Sequence, residues 1–152
     1  MTDTNKFLLR SLEENWIHAR QSENKRATLA NVAIVVVAAI HIALTQTGFN
    51  TKALPLTILL IFLGIYGIMA NVKLYERQQF HTLRARKLRA RLDELCPHAH
   101  VQQLQIIAED EHKIKNAKLM NFRLNNIWLG LHALIATAGI IYTIISLFPK
   151  GQ

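Results

Sequence analysis

The chain has 152 residues, 51% of them hydrophobic and 18% charged, with a mean hydropathy of +0.15. That is too apolar for an ordinary soluble domain of this length, so the apolar and charged residues must be separated along the sequence. A net charge of +8 and a pI near 10.0 would suit nucleic-acid binding in a soluble protein, but multi-spanning membrane proteins gather Lys and Arg in their cytoplasmic loops, so topology alone accounts for the excess and no nucleic acid is expected.

In chain order, Thr2, Asp3 and Thr4 supply capping residues for a helix within residues 1–26 that carries Leu9, Leu12 and Trp16 on one face. Glu13, Glu14 and Glu23 dilute its basic character, so it is expected to pack on the rest of the cytoplasmic part rather than lie on lipid. Residues 27–45 (ATLANVAIVVVAAIHIALT) hold no formal charge, and a helix of about 20 residues covers the roughly 30 Å hydrocarbon core. This is the first expected span. It lacks a small-residue cleavage site, so it is expected to stay in the protein rather than leave as a signal peptide. After a short turn at 46–53 comes a second uncharged run, 54–72, with Pro55 in its first turn where the missing N–H costs nothing.

No Pro follows until Cys96-Pro97, and KLYERQQFHTLRARKLRARLDEL is mostly helix formers, so span two is expected to run on as one helix until Pro97 ends it. From Val101 the pattern resumes with Leu104, Ile107, Ile114, Ala117 and Leu124 and leads toward a third span at 127–148 without a strong breaker. The fold class is therefore all-α and integral membrane, with three transmembrane helices. Residues 73–126 are expected to form a basic cytoplasmic antiparallel hairpin that extends spans two and three, with Leu88, Leu92 and Leu95 packed on the apolar stripe of the second arm. Residues 149–152 are a short tail.

Lys and Arg number five in residues 1–26, one (Lys52) in the first turn, eleven in 73–126 and one (Lys150) in the tail. The positive-inside rule then places the N-terminus and residues 73–126 in the cytoplasm, with the 46–53 turn and the C-terminus outside. Cys96 is the lone cysteine, which excludes an intramolecular disulfide and a paired-Cys metal site.

Arg77, Arg84 and Arg91 recur every seven residues and share one helix face. They are the candidate ligand-binding residues, suited to a phosphate or carboxylate on a nucleotide, a phospholipid headgroup or an acidic protein; the alternative is a solvated positive-inside face. Asn31, Asn71 and His132 give each span one polar group near its cytoplasmic end. They line a pore in one reading and hold the bundle by interhelical hydrogen bonds in the other. Ala39 with Ala43, Gly64 with Gly67, and Ala136 with Gly139 offer close-packing faces. His41 and His132 belong at opposite ends of the membrane and are not expected to share a metal. His98, His100 and His112 with Glu111 match no standard zinc spacing, and His18 near Glu23 is equally explained by a solvated face. No metal site or cofactor is expected. Without a Ser/His/Asp arrangement, a phosphate-binding glycine loop or a carboxylate dyad, an enzyme is not expected either.

The short cytoplasmic helix, the close pair of spans and the basic extension KLYERQQFHTLRARKLR, over Ala27 to Arg91, resemble the small bacterial membrane effectors of nucleotide-signalled phage defence, the SLATT-type proteins, although the third span departs from their two-span plan. The resemblance implies a homo-oligomer in the bacterial inner membrane that perturbs membrane integrity when triggered. Two functional expectations follow. One is an oligomeric, channel-like effector gated through its basic stalk; the other is a non-conducting scaffold or accessory subunit that recruits an acidic partner.

Overall fold

The computed structural model describes residues 3–117 and 123–148, so the capping role expected of Thr2, part of the expected second arm (118–122) and the tail from Pro149 to Gln152 lie outside the described residues. The helices are α1 (Asp3–Thr47), α2 (Leu54–Leu95), α3 (Val101–Lys115) and α4 (Leu124–Leu147), with short 3-10 turns at Thr51–Ala53 and Pro97–Ala99. The protein is all-helical among the described residues, and α1, α2 and α4 are long and apolar enough to cross a membrane.

The helix expected before span one and span one itself are a single 45-residue helix. Neither Gly nor Pro occurs between Asp3 and Thr47, so nothing breaks it. Gly48 stops it with φ +70, a left-handed geometry that glycine adopts without steric cost, and donates its N–H to the Leu44 carbonyl at 2.9 Å. Asn50 then caps the next turn by accepting from the Lys52 N–H at 2.8 Å.

Helix α2 is unbroken for 42 residues and stops at Leu95, just before Cys96-Pro97. The turn that follows ends at His100, held at φ 46. Asp93 reaches across this turn: its carboxylate accepts the N–H groups of Val101 at 2.9 Å and Gln102 at 3.4 Å, capping the positive end of α3. The expected uninterrupted second arm is broken at Asn116, whose backbone leaves helical geometry at φ −123 and ψ 25. Its side chain contacts the His112 ring nitrogen and carbonyl, the local hydrogen bonding by which Asn competes with helix continuation.

The chain forms two compact units, one of Met1–Glu23 with Tyr75–Arg123 and the other of Asn24–Leu74 with Leu124–Gln152. In the second unit the seam repeats at three- and four-residue spacings. Helix α1 contributes Ala30, Ala33, Ile40 and Leu44; α2 contributes Thr57, Leu60, Gly64, Gly67 and Asn71; α4 contributes His132, Ile135, Gly139 and Ser146. Such spacing is that of interlocking, nearly aligned helices. Two of the three expected small-residue faces lie in the α2–α4 contact: a Cβ on Gly64 would come within 2.5–2.7 Å of Ala136, and one on Gly139 within 2.8 Å of the Ile61 backbone nitrogen. Ala39 is exposed on the outer surface instead. That surface is apolar, with Val35, Ile42, Phe62, Met69, Leu134 and Ile144 outward, as lipid contact requires.

In the first unit the start of α1 lies against the end of α2. Its buried residues are small or polar, Asn15, Ala19, Ser22 and Ala85, and the expected Leu9/Leu12/Trp16 face lies beside them. Trp16 sits under the Arg89 guanidinium at 5.3 Å, and Leu9, Leu12, Leu92 and Val101 line one apolar cleft. Helix α3 turns back along α2, with Gln102, Gln105, Ile106 and Glu109 facing Arg86, Arg89 and Ala90. The α3 stripe of Leu104, Ile107 and Ile114, expected to receive the α2 leucines, faces outward at 63%, 50% and 81% exposure.

Candidate functional site

Arg26 stands at the mouth of the expected first span, where the sequence reads it as one of several topological charges. The series Ala19, Ser22, Arg26, Ala30 and Ala33 follows the three- and four-residue spacing of the seam, so Arg26 points inward, and it is only 3% exposed. Its Nε–H donates to Oδ1 of Asn71 at 2.7 Å, and Nη2 donates to Oδ1 of Asn125 at 2.8 Å. A planar guanidinium fork can serve two acceptors on two different helices at once, which an ammonium on a flexible stem does poorly. One side chain from α1 thus ties α2 and α4 together.

His132 lies against Gly67, one turn from Asn71 along α2; a Cβ at residue 67 would collide with the imidazole ring at Nδ1. Both Asn71 and His132 are fully buried. Asn71 Nδ2 and both His132 ring nitrogens have no hydrogen-bond partner among the described residues, an arrangement that costs free energy in an apolar interior. Asn31 is exposed on the outer surface of α1. Of the three polar candidates, two therefore belong to the interior of this unit and one to its surface.

Other polar contacts join the same helices farther along. His41 Nδ1 lies 2.8 Å from the Val37 carbonyl and so carries the proton, leaving Nε2 to accept from the Tyr142 hydroxyl at 3.0 Å. Thr143 donates to the Thr57 hydroxyl at 2.9 Å.

In the other unit Arg77, Arg84 and Arg91 are all exposed, and Phe80 and Lys87 complete the same face at three- and four-residue steps. The three arginines differ in their surroundings. Arg91 donates to Glu94 at 2.6 Å, Arg84 lies over the Phe80 ring at 5.4 Å, and Arg77 has no ion pair among the described residues. Beside this face, His81 Nδ1 meets Oδ1 of Asn15 at 3.0 Å and its ring lies 5.0 Å from that of His18. Asn15 already donates its amide to the Ser11 carbonyl at 2.8 Å, so His81 is the donor in their contact. Burial, and then the charges of His18, Arg77 and Arg84, hold the His81 pKa below the usual histidine value.

Among the described residues no three of His, Cys, Asp and Glu lie close enough to hold a metal ion. Sequence reasoning missed Arg26, Asn125, the Asn15–His81 contact and the Asp93 cap. Only Arg26 leaves a signal, its register with Ala19, Ala30 and Ala33.

No family model, curated protein or solved structure matches the chain.

Proposed function

We propose that the protein is a homo-oligomeric, channel-like effector of the bacterial inner membrane, acting in phage defence and gated by a phosphate-bearing anion at its basic cytoplasmic segment. The N-terminus and residues 73–126 are cytoplasmic and the C-terminus is external, because eleven of the eighteen Lys and Arg residues fall in 73–126. The observation that carries the reading is the outward face of span one. Asn31 and Thr45 are exposed on this face, in helical register with the apolar Val35, Ala38 and Ile42, two polar groups that a lone chain leaves in lipid.

The seam within one chain is filled by Leu60, Asn71 and His132, all fully buried. A conducting path is therefore assigned between copies, with Asn31 as its polar constriction. Asn71 and His132 hold the bundle rather than touch the permeating ion. The ligand residues are Arg77, Arg84 and Arg91, of which Arg77 is least compensated. A nucleotide and a phospholipid headgroup present the same phosphate chemistry to this face.

The test is conductance in planar bilayers made from uncharged lipid, with a soluble triphosphate added on the cytoplasmic side. Anion-dependent conductance that Asn31→Leu alters and Arg77→Glu abolishes is expected. A response only with phosphoinositide in the bilayer assigns the headgroup instead. The filled seam also favours a second reading, a non-conducting scaffold that recruits an acidic protein. Absence of conductance under every condition, with a soluble partner lost when residues 77–115 are removed, selects that reading.

A further inference from the structure

Two exposed helix faces in the unit built from residues 1–23 and 75–123 are complementary. Helix α2 shows Arg77, Phe80, Arg84, Lys87 and Arg91. Helix α3 shows Leu104, Ile107, Glu111 and Ile114. Both follow the three- and four-residue spacing of interlocking helices, and α3 contains no buried residue. We infer that α3 of one copy docks on the Arg77–Arg91 face of α2 in the neighbouring copy, as the repeating contact of the oligomer.

This rests on the oligomeric reading above and names its cytoplasmic interface in the anion-free state: the phosphate-bearing anion of that reading and the neighbouring α3 compete for Arg77, Arg84 and Arg91, so binding of the anion displaces α3. At 3.6 residues per turn, the basic face of α2 lies roughly 150° around that helix from the Arg86, Arg89 and Ala90 side that holds its own α3. On α3, the Leu104–Ile114 face lies roughly 170° from the Gln102, Gln105, Ile106 and Glu109 side that meets its own α2. Each helix therefore has a used side and a nearly opposite free side. Stacking the free side of α3 on the free side of the next α2 alternates the helices head to tail, and such a contact closes into a ring when its rotation permits.

Charge selects the same occupant. The α2 face has Arg77, Arg84 and Lys87 without an ion pair among the described residues, whereas Arg91 shares its charge with Glu94. On α3, Asp110 is engaged by Lys113 at 2.9 Å, but Glu111 has Lys115 only at 4.0 Å with both side chains well exposed. Glu111 thus stays available at the centre of the apolar face. The same acidic run of Glu109, Asp110 and Glu111 disfavours an anionic lipid surface as the cover. Anchoring all copies in one bilayer orients them alike and raises their effective concentration, so a face of this modest length suffices.

The experiment uses the full chain in membranes with the native thiol removed by Cys96→Ser. Copies carrying Lys87→Cys are co-expressed with distinguishable copies carrying Ile107→Cys and exposed to a mild oxidant. Cross-links between unlike copies should predominate, and a chain carrying both substitutions should give a ladder of multimers rather than an internal cross-link. With Lys87→Cys and Ile107→Cys as reporters, Arg84→Glu or Glu111→Arg alone should lower the yield roughly tenfold, and the two together should restore it. Cross-links confined to like positions overturn the proposal in favour of a two-fold contact. Their absence from a chain that native mass spectrometry still finds oligomeric overturns this interface and leaves the oligomer standing; a monomer overturns both.

Discussion

The Arg26 Nε–H donates to Oδ1 of Asn71 at 2.7 Å, joining the start of the first apolar run to the end of the second through a nearly solvent-free contact. The same guanidinium donates to Asn125, so three helices depend on one side chain. Replacing Arg26 by Ala strands two acceptors and should cost about 1–3 kcal/mol. Arg26→Lys should recover only part of this, because an ammonium does not reproduce the planar fork. A double-mutant cycle of Arg26→Ala and Asn71→Ala, read from unfolding in detergent, should give a coupling of about 0.5–2 kcal/mol. Strict additivity would show that the contact contributes no pairwise stability.

Gly64 and Gly67 occupy the same α2 seam but meet different obstacles. A Cβ at 67 would meet the His132 imidazole, whereas one at 64 would meet the Ala136 backbone nitrogen at 2.5 Å as well as its Cβ. Both Gly→Ala substitutions should therefore destabilise the bundle by overpacking, on the order of 1–3 kcal/mol. Gly67→Ala should be relieved by His132→Ala, which removes the ring. Gly64→Ala should not be relieved by Ala136→Gly, because the backbone stays. Thermal midpoints of the four variants check this difference.

Asp93 is eight residues from Val101 in sequence, yet its carboxylate caps α3. His100, the residue directly before α3, makes no side-chain cap of its own. Asp93→Ala should loosen the first turn of α3 by about 0.5–2 kcal/mol, and amide exchange at 101–104 should quicken while exchange in α4 stays unchanged. Asp93→Asn should keep part of the protection, since an amide oxygen still accepts. Equal protection in all three proteins would remove the cap from the account.

The three long apolar helices and the stop at Cys96-Pro97 were legible because run length and Pro placement are local properties. Helix phase is not. Whether Arg26 faces inward and Asn31 outward depends on which stripe the neighbouring helices cover, and here small residues rather than the conspicuous leucines mark that stripe. The single helix from Asp3 to Thr47 was visible in the absence of Gly and Pro but hidden by the change from charged to apolar composition near Ala27. The break at Asn116 and the cap by Asp93 rest on individual polar side chains that periodicity does not register. The same holds for Asn15 with His81, whose partners lie far apart in sequence.

That pair carries a pH dependence with a definite sign. Burial, His18, Arg77 and Arg84 all lower the His81 pKa, so the folded state releases the proton more readily than the unfolded chain, whose value is near 6.5. Between the folded pKa and about 6.5 the unfolded state binds more protons, and stability therefore rises with pH through that window. The contribution is fully present above the unfolded value and is lost as pH falls through the folded one. In acid, an imidazolium at position 81 faces two arginines and a second histidine. The thermal midpoint of the wild-type protein should thus fall more between pH 7.5 and pH 5 than that of His81→Gln, which cannot take up a proton. Arg77→Gln and Arg84→Gln should each shrink the difference, since each removes a charge that opposes protonation. An unchanged pH profile in His81→Gln would assign the acid sensitivity to other groups.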